Sequence, residues 1–307
     1  MKRLLEGKVA IITGAGRGVG RAEALAIARE GAKVVVNDHG SRFDGTGKST
    51  DPTQSVVEEV KALGGEAVAN FADVGSFQEA REVVNQAITA FGKLNILVNN
   101  AGILRDKTLF NMEEEDWDKV INTHLKGTFN CSRHACAYFR EQHKKGNALR
   151  GKIINTSSSA GLHGTPGQAN YGSAKAAIAA FTVIAAQEMA RYEVCVNCVV
   201  PLARTRLTTD VTSSMKAMMR NVDQGEFDIM NPENLAPLAV FFASDLANDI
   251  TGEVCRMLGD TVYLLRGWHE VDKASRGKVI WKAEELSPVI HHMVEKAGHL
   301  SWSSPQP

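Results

Sequence analysis

A chain of 307 residues with 35 lysines and arginines against 35 aspartates and glutamates carries no net charge, which argues against a nucleic-acid-binding face or a funnel for acidic substrates. At 44% hydrophobic residues it can bury a sizeable core, and its length is long for one α/β domain but short for two. No apolar run reaches the length of a membrane span.

The first apolar stretch, 9–12, breaks at once into Thr-Gly and reads as a strand rather than a signal peptide. Further strands are expected at 33–37, 67–71, 96–99, 152–155, 194–199 and 253–257. Helical patterns fall between them at 21–29, 55–63, 77–91, 117–142, 174–191 and 232–244. Continuous apolar strands alternating with helices imply an α/β doubly wound parallel sheet, a Rossmann fold with helices on both faces. Two connections are long: the polar, glycine-bearing 39–54 and the stretch 205–231 after the sixth strand. Residues 1–258 are expected to form one dinucleotide-binding domain, with a substrate lid near 205–231 and a C-terminal extension over 259–307. The extension carries three of the four tryptophans and is expected to pack. Five cysteines form no disulfide framework, and the Cys195/Cys198 pair lies in a β-branched run that reads as a buried strand, so no metal site is expected. The terminal Ser-Ser-Pro-Gln-Pro is no peroxisomal address, and a cytoplasmic protein is expected.

The first strand runs into TGAGRGVG (13–20). Gly14, Gly18 and Gly20 permit a tight turn and close approach of backbone to a pyrophosphate, with Arg17 and Val19 beside them at a helix N-terminus. The spacing G-x-x-x-G-x-G differs from the general dinucleotide fingerprint, and an ordinary glycine-rich turn is the bland alternative. Asp38 ends the second strand, where a carboxylate hydrogen-bonds a ribose 2′-hydroxyl and repels a 2′-phosphate. Arg17 argues the other way. Asp38 could also serve only as a turn residue before Gly40. NAD is the expected cofactor.

Tyr171 and Lys175 stand four apart at a helix start, hence on one face. A nearby ammonium, together with the positive nicotinamide ring, would stabilise a phenolate and lower the tyrosine pKa toward acid–base work at neutral pH. Ser158, thirteen residues upstream and just past a strand, could hydrogen-bond the substrate oxygen that Tyr171 protonates.

TGAGRGVG, NNAG (99–102), Ser158 and the Tyr171/Lys175 pair, in that order, resemble the short-chain dehydrogenase/reductase family over roughly residues 5 to 258. The resemblance implies an enzyme, an NAD-dependent oxidoreductase of secondary alcohols and ketones. It implies further that Asn100, Ala101 and Gly102 support the cofactor, that Asp73 and Val74 meet the adenine, that Tyr171 and Lys175 also hold the nicotinamide ribose, and that Thr205 completes the cofactor set. VVVNDHG with its long loop, NNAGILRDK and HLKGTF further resemble the (3R)-hydroxyacyl-CoA dehydrogenase domain of peroxisomal multifunctional enzymes, and NTSSSAGLHGTPGQANYGSAK with VPLARTRLTTDV resembles actinobacterial dehydrogenases of steroid side-chain acyl-CoA thioesters. The sequence departs from the family at three places. His124 stands where a relay asparagine is usual, Pro201-Leu202 replaces Pro-Gly, and Leu258-Gly259-Asp260 replaces Asp-Gly-Gly. His124 either holds the relay water or packs.

The lid stretch carries Leu207, Val211, Met215, Met218, Met219, Phe227 and Met230, suited to an apolar ligand of irregular shape or simply to packing. Arg204, Arg206, Lys216 and Arg220 are either contacts to a phosphorylated carrier or solvated charges. The expected substrate is a 3-hydroxyacyl-CoA or hydroxysteroid. A 3-oxoacyl-carrier reductase using NADPH and a silent NAD-binding protein are the alternatives. Surplus apolar positions on 117–142 and 174–191 imply a homo-oligomer, a tetramer by the resemblance.

Overall fold

The structure, a computed structural model, describes residues 3–147, 149–205 and 226–297. Eight strands, β1 (Val9–Thr13), β2 (Lys33–Asn37), β3 (Ala67–Asn70), β4 (Ile96–Asn99), β5 (Lys152–Thr156), β6 (Cys195–Pro201), β7 (Val254–Leu258) and β8 (Thr261–Leu265), form one sheet in the order β3-β2-β1-β4-β5-β6-β7-β8. All neighbours pair parallel except β8, which runs antiparallel to β7 at the edge. The α/β doubly wound reading therefore holds.

Period-two alternation sends strand side chains to two separate cores. Ala10, Ile12, Val34, Val36 and Ile154 face α1 (Gly18–Arg29), α2 (Asp51–Ala62) and α8 (Ala236–Ala243). Val9, Ile11, Val35, Leu97 and Ile153 face α3 (Phe77–Phe91), α5 (Gly127–Lys144) and α7 (Ala169–Met189). Because both faces are covered, the strands read as unbroken apolar runs. β1 is flanked by β2 on one side and β4 on the other, so successive crossovers leave it in opposite directions. The crevice at its carboxyl end is where such sheets bind ligands.

Several elements differ from the sequence reading. α2 starts at Asp51, four residues early, with Pro52 in its first turn, a position where a missing N–H costs nothing. The segment read as one helix over 117–142 is α4 (Glu114–Ile121), a π-helical turn (Asn122–Lys126) and then α5. α7 begins at Ala169, so Tyr171 lies inside its first turn. A short α6 (Ser159–His163) precedes it. The stretch 232–244 opens as a 3-10 turn, Pro232–Leu235, before α8.

The chain divides into two compact units, Met1–Leu265 and Arg266–Pro307. The second contains α9 (Ala283–Ala297), with Pro288 inside it. Trp268 is fully exposed, against the expectation that the tail tryptophans pack. Trp281 is met by the Arg276 guanidinium, and Trp302 lies outside the described residues. No helix among the described residues is long and apolar enough to cross a membrane.

Candidate active site

A cavity of about 760 Å³ opens along the carboxyl ends of the strands. Its first wall is the β1–α1 turn. Gly14 (φ +64°) and Gly18 (φ +55°) take the left-handed backbone that only glycine adopts freely, and a Cβ on Gly14 would lie 2.6 Å from the Ala101 Cα. Arg17, the N-cap of α1, makes no side-chain cap, and the first turn holds no acid. The leading N–H groups of α1 therefore keep their capacity for an anion, and Gly14, Arg17, Gly18 and Val19 all line the cavity. Gly20 acts differently: a Cβ there would sit 2.4 Å from both the Asn100 amide nitrogen and the Gly14 carbonyl, so it allows α1 to pack.

The Asn-Asn-Ala-Gly segment after β4 is fastened to this turn. Asn100 Nδ2 donates to the carbonyls of Thr13 and Gly14, each at 3.1 Å, and Thr13 Oγ1 accepts from the amides of Asn100 and Ala101. Asn100, Ala101 and Gly102 line the cavity, with Asp73 and Val74 further along. Asp38 also lines it and accepts from Gly16 N at 2.9 Å and Gly40 N at 2.7 Å. The turn role and the cavity position coexist in this one carboxylate.

Ser158 caps α6, its Oγ accepting from Ala160 N at 3.2 Å, and hydrogen-bonds Tyr171. Lys175, one turn beyond Tyr171, is buried, donates to the Thr156 carbonyl at 2.6 Å and lies 5.7 Å from the Tyr171 ring centroid. Burial pulls the ammonium down to about 8. Burial pushes the Tyr171 phenol above its ordinary value, opposed by Ser158 and assisted by the charge of Asp106. Loss of water around the phenolate thus outweighs these neighbours, and the expected lowering rests on the Lys175 ammonium together with a positively charged nicotinamide ring.

His124 lies in the π-helical turn, fully buried, its ring edge-on to Tyr171 at 5.2 Å. Nε2 stands 3.0 Å from the Ile103 amide and 2.7 Å from the Ile103 carbonyl, so the tautomer sets which of the two it satisfies. Burial, then the charge on Lys175, drives its pKa down to about 3, and the imidazole is neutral at working pH. Its Nδ1 is buried without a hydrogen-bond partner among the described residues.

Several lining or supporting residues escaped the sequence reading. Asn170 donates to the carbonyls of Arg105 and Asp116 and accepts from Tyr171 N at 2.7 Å. Gln168 donates to Asp106 at 2.7 Å, and Ser157 to the Lys175 carbonyl. Only the polar cluster before Tyr171 hinted at them, since their partners lie far away in the chain.

Thr205 lines the cavity beside Gly18. Arg204 lines the cavity and is engaged by both oxygens of Asp228, at 2.9 and 2.8 Å. Met230 is buried and Phe227 exposed. Leu207, Val211, Met215, Met218, Met219, Arg206, Lys216 and Arg220 lie outside the described residues. No group among the described residues could hold a metal.

Residues 8–219 match the short chain dehydrogenase family model. The chain belongs to that family. It is 42% identical over 292 residues to the hydroxyacyl-CoA dehydrogenase ChsB1 of Mycobacterium tuberculosis, covering 93% of this chain and 88% of that one. A 3-oxoacyl-acyl-carrier-protein reductase, FabG of Staphylococcus aureus, is 39% identical over 254 residues, covering 82% of this chain and 97% of the other. The crystal structure of a short chain dehydrogenase from Mycobacterium avium superimposes with a TM-score of 0.84 at 46% identity, covering 95% and 96% of the two chains. The chain is thus an oxidoreductase of hydroxyl and keto groups with a Rossmann-like fold and a nicotinamide cofactor.

Proposed function

We propose that this protein oxidises a bulky 3-hydroxyacyl thioester of coenzyme A, or a hydroxysteroid, with NAD. The observation that carries the chemistry is the convergence of Ser158, Tyr171 and the buried Lys175 on one wall of the cavity.

The residues fit a dinucleotide. The α1 N-terminus is uncapped, a side chain at Gly16 would strike Asp38, and cavity-lining His39, Thr156 and His124 each keep a buried polar atom without a partner among the described residues. Gly14, Arg17, Gly18 and Val19 would hold the pyrophosphate, with Gly20 keeping α1 close. Asp38 would take the adenosine ribose and Asp73 with Val74 the adenine. Asn100, Ala101, Gly102, Tyr171, Lys175 and Thr205 would line the nicotinamide half. When bound, the nicotinamide supplies the hydride acceptor. Tyr171, as phenolate, takes the hydroxyl proton, while Ser158 donates a hydrogen bond to the same oxygen and fixes its direction. Lys175 supplies positive charge behind the phenolate. His124, neutral and edge-on to Tyr171, orients the ring rather than carrying a proton as imidazolium.

Asp38 supports NAD, because its charge opposes a 2′-phosphate at that wall. Arg17 on the same cavity supports a second reading, reduction of a 3-oxoacyl carrier with NADPH. The relative ChsB1 supports the thioester, and five free cysteines fit a reducing cytoplasm. The test is initial-rate measurement of NADH and NADPH formation across 3-hydroxyacyl-CoA thioesters of graded bulk, hydroxysteroids and sugars. Rates rising with acyl bulk and confined to NAD are expected. Turnover on sugars alone sinks the substrate, and equal use of NADP sinks the Asp38 argument.

A further inference from the structure

The loop after β2 is held at both ends. At its neck Asp38 accepts from Gly16 N and Gly40 N, and Thr53 Oγ1 donates to the Asp38 carbonyl. Its tip is a tight turn closed by Arg42 N to the Thr46 carbonyl at 2.7 Å and Gly45 N to the Arg42 carbonyl at 3.1 Å. That turn points two carbonyls at the segment leaving β4: Phe43 O accepts from Leu104 N at 2.8 Å, and Asp44 O accepts from Arg105 Nε at 2.8 Å. His39, Ser41 and Gly45 of this loop line the cavity opposite Ile103 and Leu104.

Arg105 does more than hold the tip. Its side chain is 14% exposed, and Nη1 donates to Asp116 Oδ1 at 3.2 Å, while Lys107 pairs with the other Asp116 oxygen at 2.7 Å. The backbone carbonyls of Arg105 and Asp116 both accept from the buried Asn170 amide, which in turn accepts from Tyr171 N. The guanidinium therefore ties the loop tip to Asp116, and the backbone carbonyls of these same two residues hold the Asn170 amide at the start of α7.

We propose that Arg105 is a positioning residue that couples coenzyme-loop docking to the placement of Tyr171. The proposal rests on the reading of the cavity as a nicotinamide dinucleotide site. The role needs a planar fork, since Nε and Nη1 serve a carbonyl and a carboxylate at once. A lysine ammonium on a flexible stem does not hold both partners in that fixed geometry. A merely structural ion pair would affect stability and leave coenzyme binding and the state of Tyr171 alone.

The test uses the full chain and the variants Arg105→Met and Arg105→Lys. NADH affinity is read from its fluorescence, and loop docking from tryptic cleavage after Arg42 and Lys48, both exposed on the loop. In the wild type, NADH is expected to protect those two bonds. In both variants NADH affinity is expected to fall about tenfold, protection to be lost, and kcat at saturating coenzyme to fall as well, with melting temperature little changed. Wild-type affinity and protection in Arg105→Met overturn the proposal. Weakened NADH binding with unchanged kcat overturns the link to Tyr171. Should Arg105→Met fail to fold, Arg105→Lys retains the charge opposite Asp116, and wild-type behaviour in it is equally decisive. A wild type that binds neither NADH nor NADPH defeats the reading of the site itself, an outcome distinct from either.

Discussion

Tyr171 reaches the cavity wall with its phenol destabilised as an anion, and this gives the reaction a direction in pH. Burial raises its pKa, so the phenolate that oxidation needs grows as pH rises, while the protonated form that reduction needs is lost. Alcohol oxidation should therefore climb toward alkaline pH and ketone reduction should fall. Asp106, exposed and bound to Gln168, adds to the rise through its charge. Asp106→Asn should move the oxidation limb to lower pH and leave the alkaline plateau of kcat near wild type; a limb that stays in place or moves up refutes the assignment. Tyr171→Phe should cut kcat at least about a hundredfold with NADH affinity retained, and a variant within tenfold of wild type would remove Tyr171 from the chemistry. Ser158, Tyr171 and Lys175 were legible because one helix turn and one strand end fix their relation within a short stretch. Asp106, Asn170 and Arg105 were not, because their partners lie across the chain and spacing carries no trace of them.

α1 illustrates where periodicity informs and where it stops. Its small residues mark the face toward β1 and β2, yet the same buried face includes Glu23, whose carboxyl oxygen Oε2 has no partner among the described residues. Burial alone lifts this carboxyl to about 8. The sign follows from comparing the two states: the folded pKa lies above the ordinary carboxylate value of about 4.3 in the unfolded chain. The penalty is absent below that value, grows as pH rises, and is complete above about 8. Glu23→Gln should therefore stabilise the protein, on the order of 4–5 kcal/mol at pH 8 and about 1 kcal/mol at pH 5. Thermal melts at both values test it, and a gain independent of pH would mean that the effect is shape rather than charge. α1 packs on α8 and on the 3-10 turn Pro232–Leu235 that leads into it. The break in 117–142 was illegible for a related reason. A π-helical turn inserts one residue into the ladder without glycine or proline to announce it, and His124 occupies that turn.

At the scale of the whole molecule, the sheet order and both cores follow from apolar strands alternating with helices, but the surfaces left over follow from neither. Among the described residues of the first unit, exposed apolar side chains remain on two regular surfaces, a helix pair and a sheet edge. Phe129 on α5 and Val183 and Ile184 on α7 are exposed on helices whose other faces are already committed to the core. Val262 and Leu264 are exposed on the antiparallel edge strand β8. A single isologous dimer needs one self-complementary patch, whereas a tetramer of twofold axes needs two. An apolar edge strand left open would invite uncontrolled pairing, so a second copy is its natural cover. Light scattering at micromolar concentration should report a tetramer. Ile184→Glu and Leu264→Glu, both at exposed positions where a monomer's stability changes by no more than about 0.5 kcal/mol, should each give dimers, and the double variant monomers. A monomeric wild type would refute the assembly outright. A wild-type dimer broken by one substitution and indifferent to the other would leave only the corresponding patch as an interface.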